Sequence, residues 1–386
     1  MNKKVIAVLL SLAIFATACG SGAPQTVEVT RVVEVTKVVV ATAAAPAATV
    51  AAPAATAAPA PAPAGFGETL KKVKARGKLI CGVNDQVPGF GFLDKGTGAF
   101  SGFDVDFCKA VAAAVFGDIT KIEYRAVNAE QRFPALQSGE VDVLIRNTTW
   151  TLTRDTSNTA NFVHTTFYDG QGIMVLKKSN ITKLADLKGA TICVQKGTTT
   201  ELNLADQMAA NKITYNPVVV DTAAASTAAY EAGRCDALTT DKSALTSLIS
   251  TLKVPADTVI MDVTLSKEPL GPMVRQGDDQ WFDIVQWTIF TTFAAEEFGI
   301  TSANVDAVKA KDARPEVNRL TGADATAKMG TKLGLGDDFA FNIIKMVGNY
   351  AEIYDRNLGP KTKTYIPRGF NSLYVNGGVL YAPPFR

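Results

Sequence analysis

Segments with strand period and segments with helix period alternate twice along the chain, and this alternation sets the fold class before any single residue does. In the first block a short basic helix, Leu70 to Arg76, precedes a buried strand, Lys78 to Val83, which ends in a Gly/Pro/Phe-rich loop. Phe103 to Phe116 has apolar residues at helical spacing (Val105, Cys108, Val111, Ala112, Val115), entered through Ser101-Gly102 with Asp104 and Asp106 in the first turn. Lys121 to Val127 reads as a strand, Ala129 to Ser138 as a helix and Val141 to Ile145 as the next strand. The second block places strands at Gly172 to Leu176, Thr191 to Gln195, Val218 to Val220 and Ala237 to Thr240, with helices at Lys183 to Leu187, after Gly197 through Met208, and at Thr222 to Ala232. This grammar predicts an α/β protein whose mostly parallel sheets carry helices on both faces. Two such blocks predict two lobes, with a cleft at the carboxyl ends of their strands.

Length agrees. Phe66 to Arg386 is roughly 320 residues, more than one ordinary core accommodates. The residues before it read differently. Lys3 and Lys4 precede an apolar run, Val5 to Phe15, that ends in small residues and Cys19, the pattern of a secretory signal peptide over residues 1–18. Ala16-Thr17-Ala18-Cys19 resembles a bacterial lipobox, with Ala16 where Leu is usual. It predicts lipidation of Cys19, the alternative being ordinary secretion with an incidental cysteine. Residues 19–65 read as a linker. Val27-Glu28-Val29-Thr30-Arg31-Val32 is repeated as Val33-Glu34-Val35-Thr36-Lys37-Val38, with strand period but no neighbour to bury its apolar face. Prolines at 46, 53, 59, 61 and 63 then break an alanine-rich run and favour extended chain, spanning on the order of 100 Å in all.

Charge excludes a class. Net charge is +2, and losing Lys3 and Lys4 with the leader leaves 37 basic against 37 acidic residues. With no basic patch bearing interleaved aromatics, nucleic acid is not an expected partner. No second apolar run is long enough to cross a membrane. Setting Cys19 aside leaves Cys81, Cys108, Cys193 and Cys235, which allow three pairings in an oxidising compartment.

Three segments carry chemistry. Gly197-Thr198-Thr199-Thr200-Glu201 lies between a strand and a helix, where free amides and hydroxyls can receive an anion. The plainer reading is an N-cap by Thr198 with Glu201 reciprocating. Arg146-Asn147-Thr148-Thr149-Trp150-Thr151-Leu152-Thr153-Arg154 leaves a strand end with hydroxyls, an amide and two guanidinium groups. An arginine fork matches a carboxylate, unless Arg154 merely pairs with Asp155 in a solvated loop. Asp241 ends its strand at the corresponding place in the second block and can hold an ammonium group. An anion site facing a lone acid describes a receptor for a zwitterion, an α-amino acid.

These segments carry a family resemblance. From Glu68 onward the chain resembles the solute-binding proteins of bacterial ABC importers with the type II periplasmic-binding-protein fold, and within them the general L-amino-acid-binding subgroup. The resemblance rests on Ser101 to Cys108, Arg146 to Leu152, Gly197 to Leu204, Arg275 to Phe282 and Ala382-Pro383-Pro384. It implies that Arg154 and Thr199 hold the α-carboxylate, that Asp241 and the Thr149 hydroxyl take the α-ammonium, and that Asn147 belongs to the same site. Arg132 stands where acidic-amino-acid-binding relatives have an arginine for the distal carboxylate; its plainer reading is a helix-surface pair with Glu130 or Glu140. Phe90 is a wall for the ligand side chain or else core. Ala129, where some of those relatives have a hydroxyl, argues for a broad range including Glu, Asp, Gln and Asn.

The resemblance also implies lobe one over 66–168, lobe two over 169–267, and a return to lobe one over 268–386 with a C-terminal extension. Crossings fall near Tyr168–Gly172 and Lys267–Gly271, and Glu268-Pro269-Leu270-Gly271-Pro272 is a stiff hinge border. The pairings expected are Cys81–Cys108 and Cys193–Cys235. Its other implications are an extracytoplasmic, lipid-anchored monomer with no cofactor or metal, delivering ligand to a permease and its ATPase. Enzymes such as dehydratases and lyases share the fold, as do sensory ligand-binding lobes, so the site must decide. The single histidine, His164, lies among apolar residues with no acid nearby and reads as structural rather than as a general base.

Overall fold

The computed structural model describes residues 67–157 and 160–386; the leader, Cys19 and the linker lie outside them. One sheet has the strand order Ile122–Ala126, Leu79–Val83, Val143–Leu144, Met273–Arg275, Ala160–Phe162. A second runs Asn216–Val220, Thr191–Gln195, Ala237–Asp241, Phe167–Leu176, Thr258–Ile260, with Lys267–Leu270 also pairing Phe167–Leu176. Within each sheet the βαβ strands are parallel, as the alternation requires, for example Leu79↔Ile122 and Ala237↔Ile192. The strands that come from the crossings run antiparallel, so both sheets are mixed.

Phe167–Leu176 is one ten-residue strand that leaves the first lobe and becomes part of the second sheet. The returning chain pairs with its first half, Lys267↔Gly170 through Leu270↔Phe167, so the two crossings form a single antiparallel ladder. Side chains from beyond residue 302 brace it. Asn371 accepts from the Tyr168 amide (2.6 Å) and donates to its carbonyl (3.1 Å), and Tyr350 donates to the Thr166 carbonyl (2.9 Å).

The helix Phe103–Phe116 begins after Gly102, where a β-carbon would sit 2.1 Å from the Phe90 carbonyl oxygen and φ is +132°. Only glycine fits there. Its apolar spacing suggested one buried stripe, yet eleven of its fourteen residues are buried. The C-terminal helices explain the excess: Asp279–Glu297, Phe339–Met346 and Tyr350–Leu358 pack over it. Gly348 to Glu352 is a capping segment, with Asn349 and Glu352 each accepting the other's backbone amide at 2.9 Å. The expected disulfides are both present, with Cα separations of 6.1 Å for Cys81–Cys108 and 5.6 Å for Cys193–Cys235. Each ties a strand to a neighbouring segment of its own lobe.

Candidate functional site

Between the lobes lies a narrow cleft, lined by Arg132, Arg146, Asn147, Thr149 and Arg154 from one side and by Gln195, Thr198 to Thr200, Thr240 and Asp241 from the other. The elements explain the convergence. Residues 145–151 leave the carboxyl end of Val143–Leu144, Thr198 to Thr200 follow Thr191–Gln195, and Asp241 ends its own strand. Six of the seven residues expected at the site therefore meet. Phe90 does not: it is buried in the core, edge-on to Phe103 (5.9 Å) and Phe167 (5.1 Å), and is not among the lining residues.

The lobes touch across the cleft. Arg132 Nη2 donates to the Gly197 carbonyl (3.3 Å), Asn147 Nδ2 to Asp241 Oδ2 (3.3 Å), and the Thr149 and Thr199 hydroxyls are 3.2 Å apart. At the rim Lys196 pairs with Glu130 (3.0 Å). Arg132 is thus no surface pair: Glu130 is held by Lys196, Glu140 by Arg125, and Arg132 is 2% exposed. Arg154 does not pair with Asp155, which instead accepts from the Phe162 amide; its Nη1 donates to the Thr149 carbonyl (3.1 Å). Phe133, which the sequence did not single out, lies under the guanidinium carbons of both Arg132 (4.9 Å) and Arg154 (5.4 Å).

Thr198 caps the helix Thr199–Ala210, accepting from the Glu201 amide (3.1 Å), while Glu201 reaches back to the Gly197 amide (2.9 Å). The capping by Thr198 is thus as expected, while Glu201 holds the Gly197 amide instead of closing a capping box on Thr198, and the helix start lines the cleft.

Glu268 is the residue that sequence reasoning missed. It is 1% exposed, and its carboxylate accepts from Thr149, Thr199 (2.9 Å), Asn203 (2.8 Å) and Ser266. Thr149 belongs to one lobe and Thr199 and Asn203 to the other, so this hinge-strand carboxylate holds both. A hydroxyl has one proton to give. Thr149 and Thr199 give theirs to Glu268, so toward the cleft they present lone pairs, which suit an N–H donor. With its hydroxyl proton given to Glu268, Thr199 has its backbone amide at the helix start left to offer an anion.

Electrostatics divides the cleft. Burial pushes the pKa of Arg146 down to about 10, which leaves it charged at neutral pH, and lowers those of Arg132 and Arg154. Opposite them, burial followed by the neighbouring Asp169 and Glu268 holds Asp241 well above the usual aspartate range. An ammonium beside Asp241 would restore its charge. His164 is elsewhere, edge-on to Phe290 (4.8 Å), with its pKa lowered to about 4 by burial. Among the described residues no group of His, Cys, Asp or Glu could hold a metal, and no helix is long and apolar enough to cross a membrane.

Residues 79–302 match the bacterial extracellular solute-binding proteins, family 3. This chain belongs to that family. The chain is 55% identical over 325 residues to the general L-amino acid-binding periplasmic protein AapJ of Rhizobium johnstonii, covering 84% of this chain and 95% of the relative. It is 50% identical to the glutamate/glutamine/aspartate/asparagine-binding protein BztA of Rhodobacter capsulatus, again over 84% and 95%. Among solved structures, a periplasmic binding protein from Brucella ovis with glutathione bound superposes with a TM-score of 0.80 at 52% identity, covering 82% of this chain and 99% of that one. Membership in this family places the folded part outside the cytoplasm, and these relatives are transport proteins rather than enzymes.

Proposed function

We propose that this solute-binding protein is the amino-acid receptor of an ABC importer, capturing L-amino acids in the cleft and delivering them to a permease and its ATPase. One observation carries the reading: a fork on one wall, Arg154, faces a buried acid on the other, Asp241, at a spacing bridged by Asn147 and the paired threonines. Arg154 and the start of the helix Thr199–Ala210 take the α-carboxylate. Asp241, with the lone pairs of Thr149 and Thr199, takes the α-ammonium. Ligand thereby ties the lobes together and shifts the hinge toward closure. The names of AapJ and BztA support a broad range that includes Glu, Gln, Asp and Asn.

A second reading has one observation behind it. The Brucella ovis relative holds glutathione, whose γ-glutamyl end presents the same α-amino-acid head to such a site. Thermal unfolding of the full-length chain with each common L-amino acid and with glutathione tests both. A ligand at a thousandfold over its Kd adds about 4 kcal/mol of stability. Shifts with many amino acids support the first reading, a shift with glutathione alone the second, and no shift in ligand-free protein overturns both.

Cys19 is the proposed lipid anchor and 19–65 the tether of a monomer. Cys19→Ala is expected to move the protein from the membrane fraction to the soluble fraction; unchanged partitioning would overturn the anchor.

A further inference from the structure

An apolar groove lies along the helix Asp279–Glu297 and shares no residue with the ligand cleft. Trp287, Met329, Leu333, Phe339 and Phe385 line it, with the exposed Lys332 beside them. Trp287 is half-buried, edge-on to Phe385 (5.0 Å) and Phe290 (5.6 Å), and gives the rest of its ring to the groove. The described chain begins beside this groove, and Gln280 joins the two. Its Nε2 donates to the Leu333 carbonyl (3.1 Å), and its Oε1 lies 2.6 Å from where a β-carbon on Gly67 would be. Lys74, in the helix Glu68–Arg76, donates to the Gly334 carbonyl (2.8 Å). Gln280 and Trp287 lie two turns apart on one face of their helix, with about 10 Å of its length between them.

The chain that arrives at Gly67 has the composition such a groove accepts. Pro59-Ala60-Pro61-Ala62-Pro63-Ala64-Gly65-Phe66 carries no charge and lies outside the described residues. Three prolines fix their own φ and favour a polyproline II helix, so little conformational entropy is left to lose on docking. Segments of this kind bind grooves lined by aromatic rings, and Phe66 adds a large apolar side chain that gains by leaving water. Eight residues at about 3.1 Å each span about 25 Å, enough to run from Gly67 past Trp287. We infer that Pro59 to Phe66 docks in this groove, with Phe66 at the Leu333 end and the prolines against Trp287 and Phe385. The tether then leaves the folded part from the groove instead of from Gly67, and its free length is shorter by these eight residues.

Disulfide trapping in the full-length chain tests this, with Cys19→Ala so that only introduced thiols are free. Ala62→Cys is combined with Lys332→Cys at the groove or, as the control, with Lys72→Cys. Lys72 is nearer to Ala62 along the chain, but it stands two residues before Lys74 and so on the opposite side of that helix, away from Gly334. Docking is expected to make trapping at position 332 at least about tenfold faster than at 72, independent of protein concentration. Trp287→Ser is expected to remove most of that advantage. Should Trp287→Ser fail to fold, Pro61→Ser with Pro63→Ser leaves the folded part untouched and is expected to slow trapping in the same direction. Equal rates at 332 and 72 overturn the inference, as does a rate at 332 that the groove or proline variant leaves unmoved, since mere nearness of the tether would give both. A cross-linked dimer through position 332 would assign the groove to a second copy of the chain and overturn it as well.

Discussion

The two walls of the cleft solve opposite problems. On the acid wall the protein supplies the partners: Glu268 accepts four hydrogen bonds, and Asp169 is held by the Ser243 and Gly170 amides. On the cation wall it withholds them, so that Arg132 and Arg146 keep unpartnered Nε atoms and no carboxylate comes within ion-pair reach of any of the three arginines among the described residues. The buried acid Glu268 is satisfied by the chain itself, while the cation wall keeps two guanidinium Nε atoms without a partner. Asp241 stands between the two, with one hydrogen bond from Asn147 and a pKa raised by burial.

The hardest way to break this contrast is to empty the cation wall. Arg154→Ala is expected to cost about 3–5 kcal/mol of binding free energy, more than a hundredfold in Kd, for every α-amino acid alike. Titration with glutamate, glutamine and alanine reads this directly. A loss confined to glutamate would instead make Arg154 a side-chain contact and reverse the orientation proposed for the ligand.

The next largest effect concerns Asp104, an acid on the wrong side of the contrast. It sits in the first turn of the helix Phe103–Phe116; burial raises its pKa to about 7, and the charge of Arg146 only partly offsets this. Unfolded, it titrates near 3.8. Between those values the folded state binds the extra proton, so stability falls as pH rises, by up to about 4 kcal/mol across the window. Asp169, at about 6, adds to the slope, while His164, lowered to about 4, opposes it below pH 6.5. Asp104→Asn removes one contribution and leaves the others. Denaturant unfolding at pH 5 and pH 8 is expected to show a smaller loss in the variant; equal losses would mean that Asp104 ionises normally.

Much of this was legible beforehand, for reasons that particular residues make plain. Phe103–Phe116 and Thr191–Gln195 carry their boundaries locally, in Gly102 and Gly117 for one and Gly197 for the other. Thr149 and Asp241 could be placed because each lies at or just past the carboxyl end of a strand, where α/β proteins gather ligands, while Arg154 follows the same loop in the short helix Leu152–Ser157. Glu268 could not. Pro269 and Pro272 marked its segment as stiff, but its role depends on a contact with Thr149, 119 residues away, for which no local pattern exists. Arg146 was visible as one of two arginines in a polar loop, and nothing in the spacing says which of them is left without a partner. Phe90 was weighed as wall or core; the closing of helices from beyond residue 302 over Phe103–Phe116 is a fact of packing and tips it into the core.

A smaller effect sharpens the acid wall. Asp241→Asn keeps the shape and removes the charge that the ammonium restores. It is expected to weaken all α-amino acids by about 1.5–3 kcal/mol, the range for a hydrogen bond to a charged group. Because the folded-state pKa of Asp241 is raised, acid removes its charge early, so wild-type affinity is expected to rise with pH while the variant's is flatter. Parallel pH profiles for the two would show that the ammonium is held elsewhere.

The smallest expected effect lies at the rim and tests whether the contrast is a property of burial rather than of sign. Lys196 and Glu130 also join the lobes with a cation and an acid, at 3.0 Å, but their side chains are 55% and 41% exposed. Water already solvates both, and two long side chains must be ordered to meet, so the pair contributes little. Glu130→Gln is therefore expected to leave affinity nearly unchanged, with any residual effect vanishing at high salt. If it instead matched Arg154→Ala, closure would be governed by charge across the rim and not by the buried groups inside.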